Sequence, residues 1–372
     1  MSEDFIDDLF SPFRCKSLSL RNRIVMSPMS RYFSPGGLLG EGMIDYYRRR
    51  AEGQVGLIIT EGTFVDRPSA RNVDVVPVFH GAALGSWERV SAEVHAADCA
   101  IAPQLWHAGG LKDFNFPDSP LVADLESPSG LSGIDVPGGR TMSEEDIADV
   151  VAAFARGVAD CQRLGFDSAE IHGAHGYLFD QFFWSATNQR TDRYGGTTLR
   201  ERTRFAQEVI RAARRAVGED FTLIFRISQW KTYFYDSRLV ETPESLEQWV
   251  GPLADAGVDI FDCSQRRFWL PEFEGSDLNL AGWTKKLTGC PTITVGSIGL
   301  STDLFQDFET LTVSEPHEAT IHQAAEKLAR GEFDLIAVGR GLLADPEWAA
   351  KVRERRFGDL VGYSADLMKR LY

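Results

Sequence analysis

The segment 171–183 reads IHGAHGYLFDQFF, with His172 and His175 three residues apart, a glycine after each, and Tyr177 two residues beyond the second. Three chemistries suit these residue types. His172 and His175, with Asp180 or His107 as a third ligand, could hold a metal, although H-x-x-H outside the helical H-E-x-x-H register is an unspecific signal. Core packing with satisfied ring hydrogen bonds is the default for any one histidine. The pair could also donate hydrogen bonds to a substrate oxygen while Tyr177 supplies a proton, since a phenol of pKa ~10 is a competent acid toward a carbanion or enolate. Positions 172 and 175 of a straight strand point to opposite faces, and Gly173 and Gly176 favour a turn that brings both rings to one pocket. These residues alone leave the three readings open.

Other segments carry chemistry too. The runs VGSIG (295–299) and VGRG (338–341) end in glycines that let backbone N–H groups approach an anion, with Arg340 as a fixed positive charge. Arg226 leaves the apolar run FTLIF (221–225), where an inward guanidinium needs a facing anion or an acidic partner. Gln104 lies beside Trp106 and His107; its amide donates and accepts at once, which suits the edge of a flat heterocycle. GRGLLA (339–344) matches the dinucleotide fingerprint in form, but the 28 residues after Ala344 hold no βαβ unit to complete it.

The elements that must position these groups form a rhythm. Eight apolar runs read as strands buried on both faces: 23–29, 55–62, 100–106, 168–173, 221–228, 259–264, 292–299 and 334–341. Helix-period segments lie between them. Ser143 before Glu144, Glu145 and Asp146 marks a helix start, and Ile147, Val150, Val151, Phe154, Val158 and Cys161 share one stripe up to Gly165. A second helix runs from about Arg200 to Gly218, a third opens at Thr242-Pro243, and a fourth spans roughly Glu315–Arg330. Eight strands with crossovers predict an α/β fold, a (β/α)8 barrel of parallel strands with its site at their C-terminal ends, over a doubly wound sheet with similar local signals. Ser30, Glu61, Gln104, His107, His172, His175, Arg226, Gln229, Ser297 and Arg340 all fall at those ends. The expected organisation is one barrel domain over 1–372.

Composition narrows the partners. With 39 basic and 54 acidic residues the formal charge is −15, which disfavours nucleic acid and anionic membrane and leaves a small molecule as the expected substrate. An acidic N-terminus unlike a targeting peptide, no apolar run near the ~20 residues of a membrane span, and five scattered cysteines lacking C-x-x-C point to a cytoplasmic chain with free thiols and no cysteine-bound metal. Monomer and homo-oligomer are equally compatible.

Taken in order, LFSPF, NRIVMSPMSRY, TEGTFV, APQLWHAG, EIHGAHGYLFDQFF, NQRTDRYGGTTLRERTRFAQEV, FRIS, TVGSIG and AVGRGLLADPEW resemble the old yellow enzyme family of FMN-dependent oxidoreductases along nearly the whole chain. The resemblance implies a barrel with FMN bound non-covalently at its top. It implies that Pro28 and Met29 lie against the flavin, with Ser30 where a threonine or cysteine usually stands. Gly62 and Gln104 meet the pyrimidine edge, Arg226 stabilises the charge of reduced flavin, and Gly296, Ser297, Gly339 and Arg340 cradle the phosphate. His172 and His175 hold the substrate's carbonyl or nitro oxygen, Tyr177 is the proton donor, and Tyr32 and Trp106 contact substrate. The implied activity is ping-pong reduction of an activated C=C bond by NADH or NADPH, with oxidation of an amine or another donor as the alternative and a metal-dependent lyase or hydrolase behind both. Gly110 departs from an arginine common after HAG, Trp106 and Tyr32 are typical of different branches, and segment 300–316 is long for its place: it reads as a surface excursion rather than a lid as far as substrate chemistry goes, with a subunit contact left open.

Overall fold

The computed structural model describes residues 4–303 and 313–372. Eight parallel strands close into a barrel. In chain order they are β1 (Ile24–Met26), β2 (Leu57–Phe64), β3 (Ala100–Trp106), β4 (Ser168–His172), β5 (Thr222–Ser228), β6 (Ile260–Ser264), β7 (Thr292–Val295) and β8 (Leu335–Val338). Strand β8 pairs back onto β1, and each other strand pairs with its successor. The eight expected strands are therefore all present; the seventh stops at Val295, where Gly296 takes a φ of +147°.

The intervening helices follow the sequence signals closely. Ser143 accepts from the Asp146 N–H at 3.1 Å while Asp146 reaches back to the Ser143 N–H, and the helix Glu144–Arg163 buries Ile147, Val150, Phe154, Val158 and Cys161. The second expected helix is split at Thr203 into Leu199–Arg202 and Arg204–Val217, with Gly218 at φ +76° ending it. Thr242 caps Pro243–Ala256, and Glu318–Ala329 starts later than its sequence signal. Of the long 300–316 excursion, 304–312 lies outside the described residues. No helix among the described residues is long and apolar enough to cross a membrane.

Alternate residues of each strand face the barrel interior, and they sort by height. The lower interior is apolar: Val25, Leu57, Ile59, Ala100, Ala102, Ile224, Ile260, Ile293, Leu335 and Ala337 form one cluster. An antiparallel hairpin, Phe13–Cys15 with Leu18–Leu20, closes this end through Phe13, Leu18 and Leu20. One step of two residues upward, the same faces carry Gln104, Glu170, Arg226 and Asp262. A register shift between Ile59 and Gly62 breaks the alternation in β2.

Candidate active site

A pocket opens at the C-terminal ends of the strands, lined by Pro28, Met29, Ser30, Gly62, Gln104, Trp106, His172, His175, Tyr177 and Arg226. Strands β2 to β5, the loop after β1 and the turn after β4 supply these groups. A side chain at 62 would not fit, because its Cβ would stand 2.9 Å from Trp106 Cε3 and 3.2 Å from Gln104 Oε1. Arg226, buried at the end of β5, donates through Nη2 to Ser27 Oγ at 3.2 Å and to Ser264 Oγ at 3.4 Å. Its Nε lies 3.5 Å from Asp262 Oδ2, too far for a good hydrogen bond.

The turn after β4 brings both histidines to the pocket, as the glycine spacing predicts. His175 takes φ +64° and Gly176 φ +84°, and the two imidazoles stand edge to face with centroids 5.1 Å apart. Tyr177 packs at 5.0 Å from His172 and 4.7 Å from Trp106. His172 Nδ1 accepts the Ala174 N–H at 3.4 Å, which leaves Nε2 to carry the ring proton. His175 Nε2 meets Ser264 Oγ at 2.9 Å, and its ring stacks on Trp230 at 4.1 Å. Burial, then the Arg226 charge, holds both imidazoles well below their usual pKa, so they are neutral hydrogen-bond donors at neutral pH. Burial and the nearby Asp113 push Tyr177 upward, which keeps its phenol protonated.

Several strand-end residues lie elsewhere. His107 turns to Glu126, with Nε2 3.4 Å from Oε1, and Glu126 also binds Arg67, Ser69 and Arg140. Despite the opposing effect of burial, those partners hold Glu126 down at about 2. Glu61 accepts the Arg31 N–H at 2.8 Å and so fixes the loop after β1; burial raises its carboxyl to about 8. Gln229 serves the backbone of Leu239 and Val240. The Tyr32 hydroxyl donates to Asp113 at 3.0 Å and accepts from Asn115, and Tyr32 is not part of the pocket lining. At Gly110 a Cβ would come within 2.2 Å of the Gly138 carbonyl oxygen, so no arginine could stand there with this backbone.

The metal reading loses its third ligand. Asp180 uses one oxygen on Lys231 Nζ and the other on the Gly176 N–H, both at 2.7 Å, while His107 faces Glu126. Among the described residues no group of three or more His, Cys, Asp or Glu is placed to hold an ion.

At the ends of β7 and β8, Arg340 Nη2 donates to Ser297 Oγ at 3.2 Å and to the Thr302 carbonyl at 2.8 Å. Gly296 is required by close backbone, since a Cβ there would lie 2.9 Å from Gln265 O and Phe268 N. Gly339 packs beside Met29, joining this cluster to the pocket.

The sequence model of the NADH:flavin oxidoreductase / NADH oxidase family matches residues 8–358. The chain belongs to that family. It is 34% identical over 372 residues to an NADH oxidase of Thermoanaerobacter brockii, covering 95% of this chain and 52% of that protein. It is 32% identical over 345 residues to an NADPH dehydrogenase of Halalkalibacterium halodurans, covering 91% and 92% of the two chains. A structure of morphinone reductase in complex with tetrahydroNAD superposes with a TM-score of 0.78 at 25% identity, covering 97% of this chain and 93% of the other. The chain spans about half the length of the NADH oxidase, and a 220-residue stretch, 59% of this chain, is 38% identical to a metal reductase from Desulforamulus reducens, covering 32% of that protein. The old yellow enzyme resemblance therefore holds, and with it FMN as the family's cofactor.

The pocket suits that cofactor. Trp106 Nε1 and Arg226 Nε are buried donors with no acceptor among the described residues, and Gly62 leaves the floor open for a flat ring. Three neighbours escaped the sequence reading: Ser264, Trp230 and Lys231, which steady His175 and Asp180. Glu170 and Asp262 escaped it as well. Their signal was present, a carboxylate at an inward position of an otherwise apolar strand.

Proposed function

We propose that this chain is an FMN-dependent NAD(P)H oxidoreductase that reduces the activated C=C bond of an α,β-unsaturated carbonyl or nitro compound by a ping-pong mechanism. FMN held here would supply the hydride chemistry, linking oxidation of NADH or NADPH to reduction of the substrate at its β-carbon. The observation that carries the reading is the convergence of two neutral imidazole donors and one protonated phenol on a single pocket that also holds Arg226. His172 presents Nε2–H, and the Ser264 contact occupies Nε2 of His175 and leaves Nδ1 for a ligand. Together they polarise a carbonyl or nitro oxygen, which stabilises the charge that develops there. Tyr177, kept protonated, delivers its proton to the α-carbon.

Pro28, Met29, Ser30, Gly62, Gln104 and Arg226 would hold the flavin ring, and Gly296, Ser297, Gly339 and Arg340 its phosphate. Trp106 walls the substrate space. The 1–372 chain would act as one FMN-binding barrel domain on a small-molecule substrate. Purified protein should be yellow, bleach anaerobically with NADH or NADPH, and recover its colour on addition of cyclohexenone. Protein that bleaches but is not reoxidised by enones or nitroalkenes would refute the substrate class while leaving the flavin in place.

A further inference from the structure

Beneath the pocket, the barrel interior holds two carboxyls that the proposed reaction does not use. Glu170 on β4 and Asp262 on β6 are both fully buried, and they flank Arg226 on β5. Glu170 Oε1 accepts from Gln104 Nε2 at 2.7 Å. Its other oxygen, both oxygens of Asp262 and Arg226 Nε have no conventional hydrogen-bond partner among the described residues. The two carboxyls nonetheless face each other within hydrogen-bonding reach. Two ionised carboxylates have no donor between them, so this contact becomes a bond only when one holds a proton. Two buried anions against one guanidinium would also leave a net buried charge, whereas one anion balances Arg226.

We propose that Glu170 and Asp262 share one proton, carry a single negative charge between them, and through Arg226 set the reduction potential of the flavin above. The inference rests on the reading of the pocket as the flavin site. Burial first, and the mutual repulsion next, push Glu170 well above the usual carboxylate range; burial raises Asp262 as well, against the pull of Arg226. Arg226 is the cation facing the pair, the neutral His172 and His175 lie next above it, and Gln104, Ser27 and Ser264 are uncharged. Two-electron reduction leaves FMN, deprotonated at N1, with one more negative charge. The anion held by the pair opposes that charge, and a pair with no anion would favour it. Glu170 and Asp262 are thus positioning residues: one orients the Gln104 amide, and the other partly neutralises the guanidinium.

The pairing predicts non-additive behaviour. In Glu170→Gln or Asp262→Asn alone, the remaining carboxyl ionises opposite Arg226 and the charge count is unchanged. In the double variant the charge is gone, and the preference for reduced over oxidised FMN should rise by about tenfold or more, the scale of one charge acting within a protein interior. Spectroelectrochemical titration of the FMN-loaded proteins reads this directly: two small single shifts and a large double shift are expected. Infrared spectroscopy of wild-type protein, which needs no variant to fold, should show a buried carboxylic-acid C=O band that shifts in D2O, in addition to that of Glu61, whose raised carboxyl also holds its proton at neutral pH. Either single substitution should abolish the first band and leave that of Glu61. Additive shifts, an unmoved double variant or a missing band would overturn the proposal. Arg226→Met separates the two readings: if it changes the potential while the double variant does not, only the carboxyl pair fails. A potential indifferent to Arg226→Met removes the pocket reading and this inference together.

Discussion

The lower and upper halves of one barrel interior are built on the same strands and differ in what they tolerate. Below, Ile224 and Ile260 pack among valine, leucine and alanine against the N-terminal hairpin. Two residues further along those strands stand Arg226 and Asp262, buried equally well but with unmet hydrogen-bonding capacity. Burial therefore means opposite things in the two halves. In the lower half it is the source of stability, through apolar surface removed from water. In the upper half it is a cost carried to keep charged and polar groups fixed beneath a ligand.

That contrast can be broken by substitution. Tyr177→Phe touches the upper rim alone: reoxidation of the reduced enzyme by an enone should slow by roughly 10²–10⁴-fold with melting unchanged, since one general acid is removed. Stopped-flow measurement of the two half-reactions checks this, and equal reoxidation rates would reject the proton donor. In wild type neither Tyr177 nor either histidine should titrate in this step from neutral into the mildly alkaline range, so an inflection near 8 belongs to Glu61. Tyr177 is shifted up and stays an acid there, and the histidines are shifted down and stay neutral.

Lys231→Met cuts the buried bond to Asp180 and should cost about 3–5 kcal/mol, as loss of one partner of a buried ion pair does. Asp180 is already raised by burial against the pull of Lys231, and without it would rise further. The penalty from Asp180 is then small while its carboxyl is protonated in both proteins and grows only as pH climbs above its already raised folded-state pKa, which chemical denaturation at two pH values would reveal. Ile260→Ala should cost about 2–5 kcal/mol by leaving a cavity in the lower half, while the visible spectrum of bound FMN is unaltered. A changed spectrum would show that the two halves are mechanically coupled. Ser143→Ala removes a helix cap outside the barrel and should cost about 1 kcal/mol with no effect on either half.

How much of this was written in the sequence depends on how local the signal is. The strands were legible because runs such as FTLIFRIS are apolar enough to be buried on both faces, and Ser143, Gly218 and Thr242 announced their helix ends through capping chemistry. The break at Thr203 carried no such mark. His172, His175 and Tyr177 were visible as a cluster because a glycine-rich turn gathers them within six residues. Where His107, Gln229 and Tyr32 point was not legible, since each is turned aside by a partner far along the chain: Glu126, the 239–240 backbone and Asp113. Glu170 and Asp262 lay in plain sight, but only the pairing of strands four and six on the two edges of strand five sets them on either side of Arg226.

The irregularity in β2 has a consequence for reading relatives of this chain. Unbroken alternation after Leu57 and Ile59 would carry Glu61 inward; the shift instead sets Gly62 opposite Gln104 and leaves Glu61 to the Arg31 backbone. In this sequence the shift thus decides whether the floor presents a hydrogen atom or a carboxylate. A chain one residue shorter between Ile59 and Gly62 would set the glycine opposite Gln104 by plain alternation, but would lose the extra residue that turns Glu61 toward the Arg31 backbone.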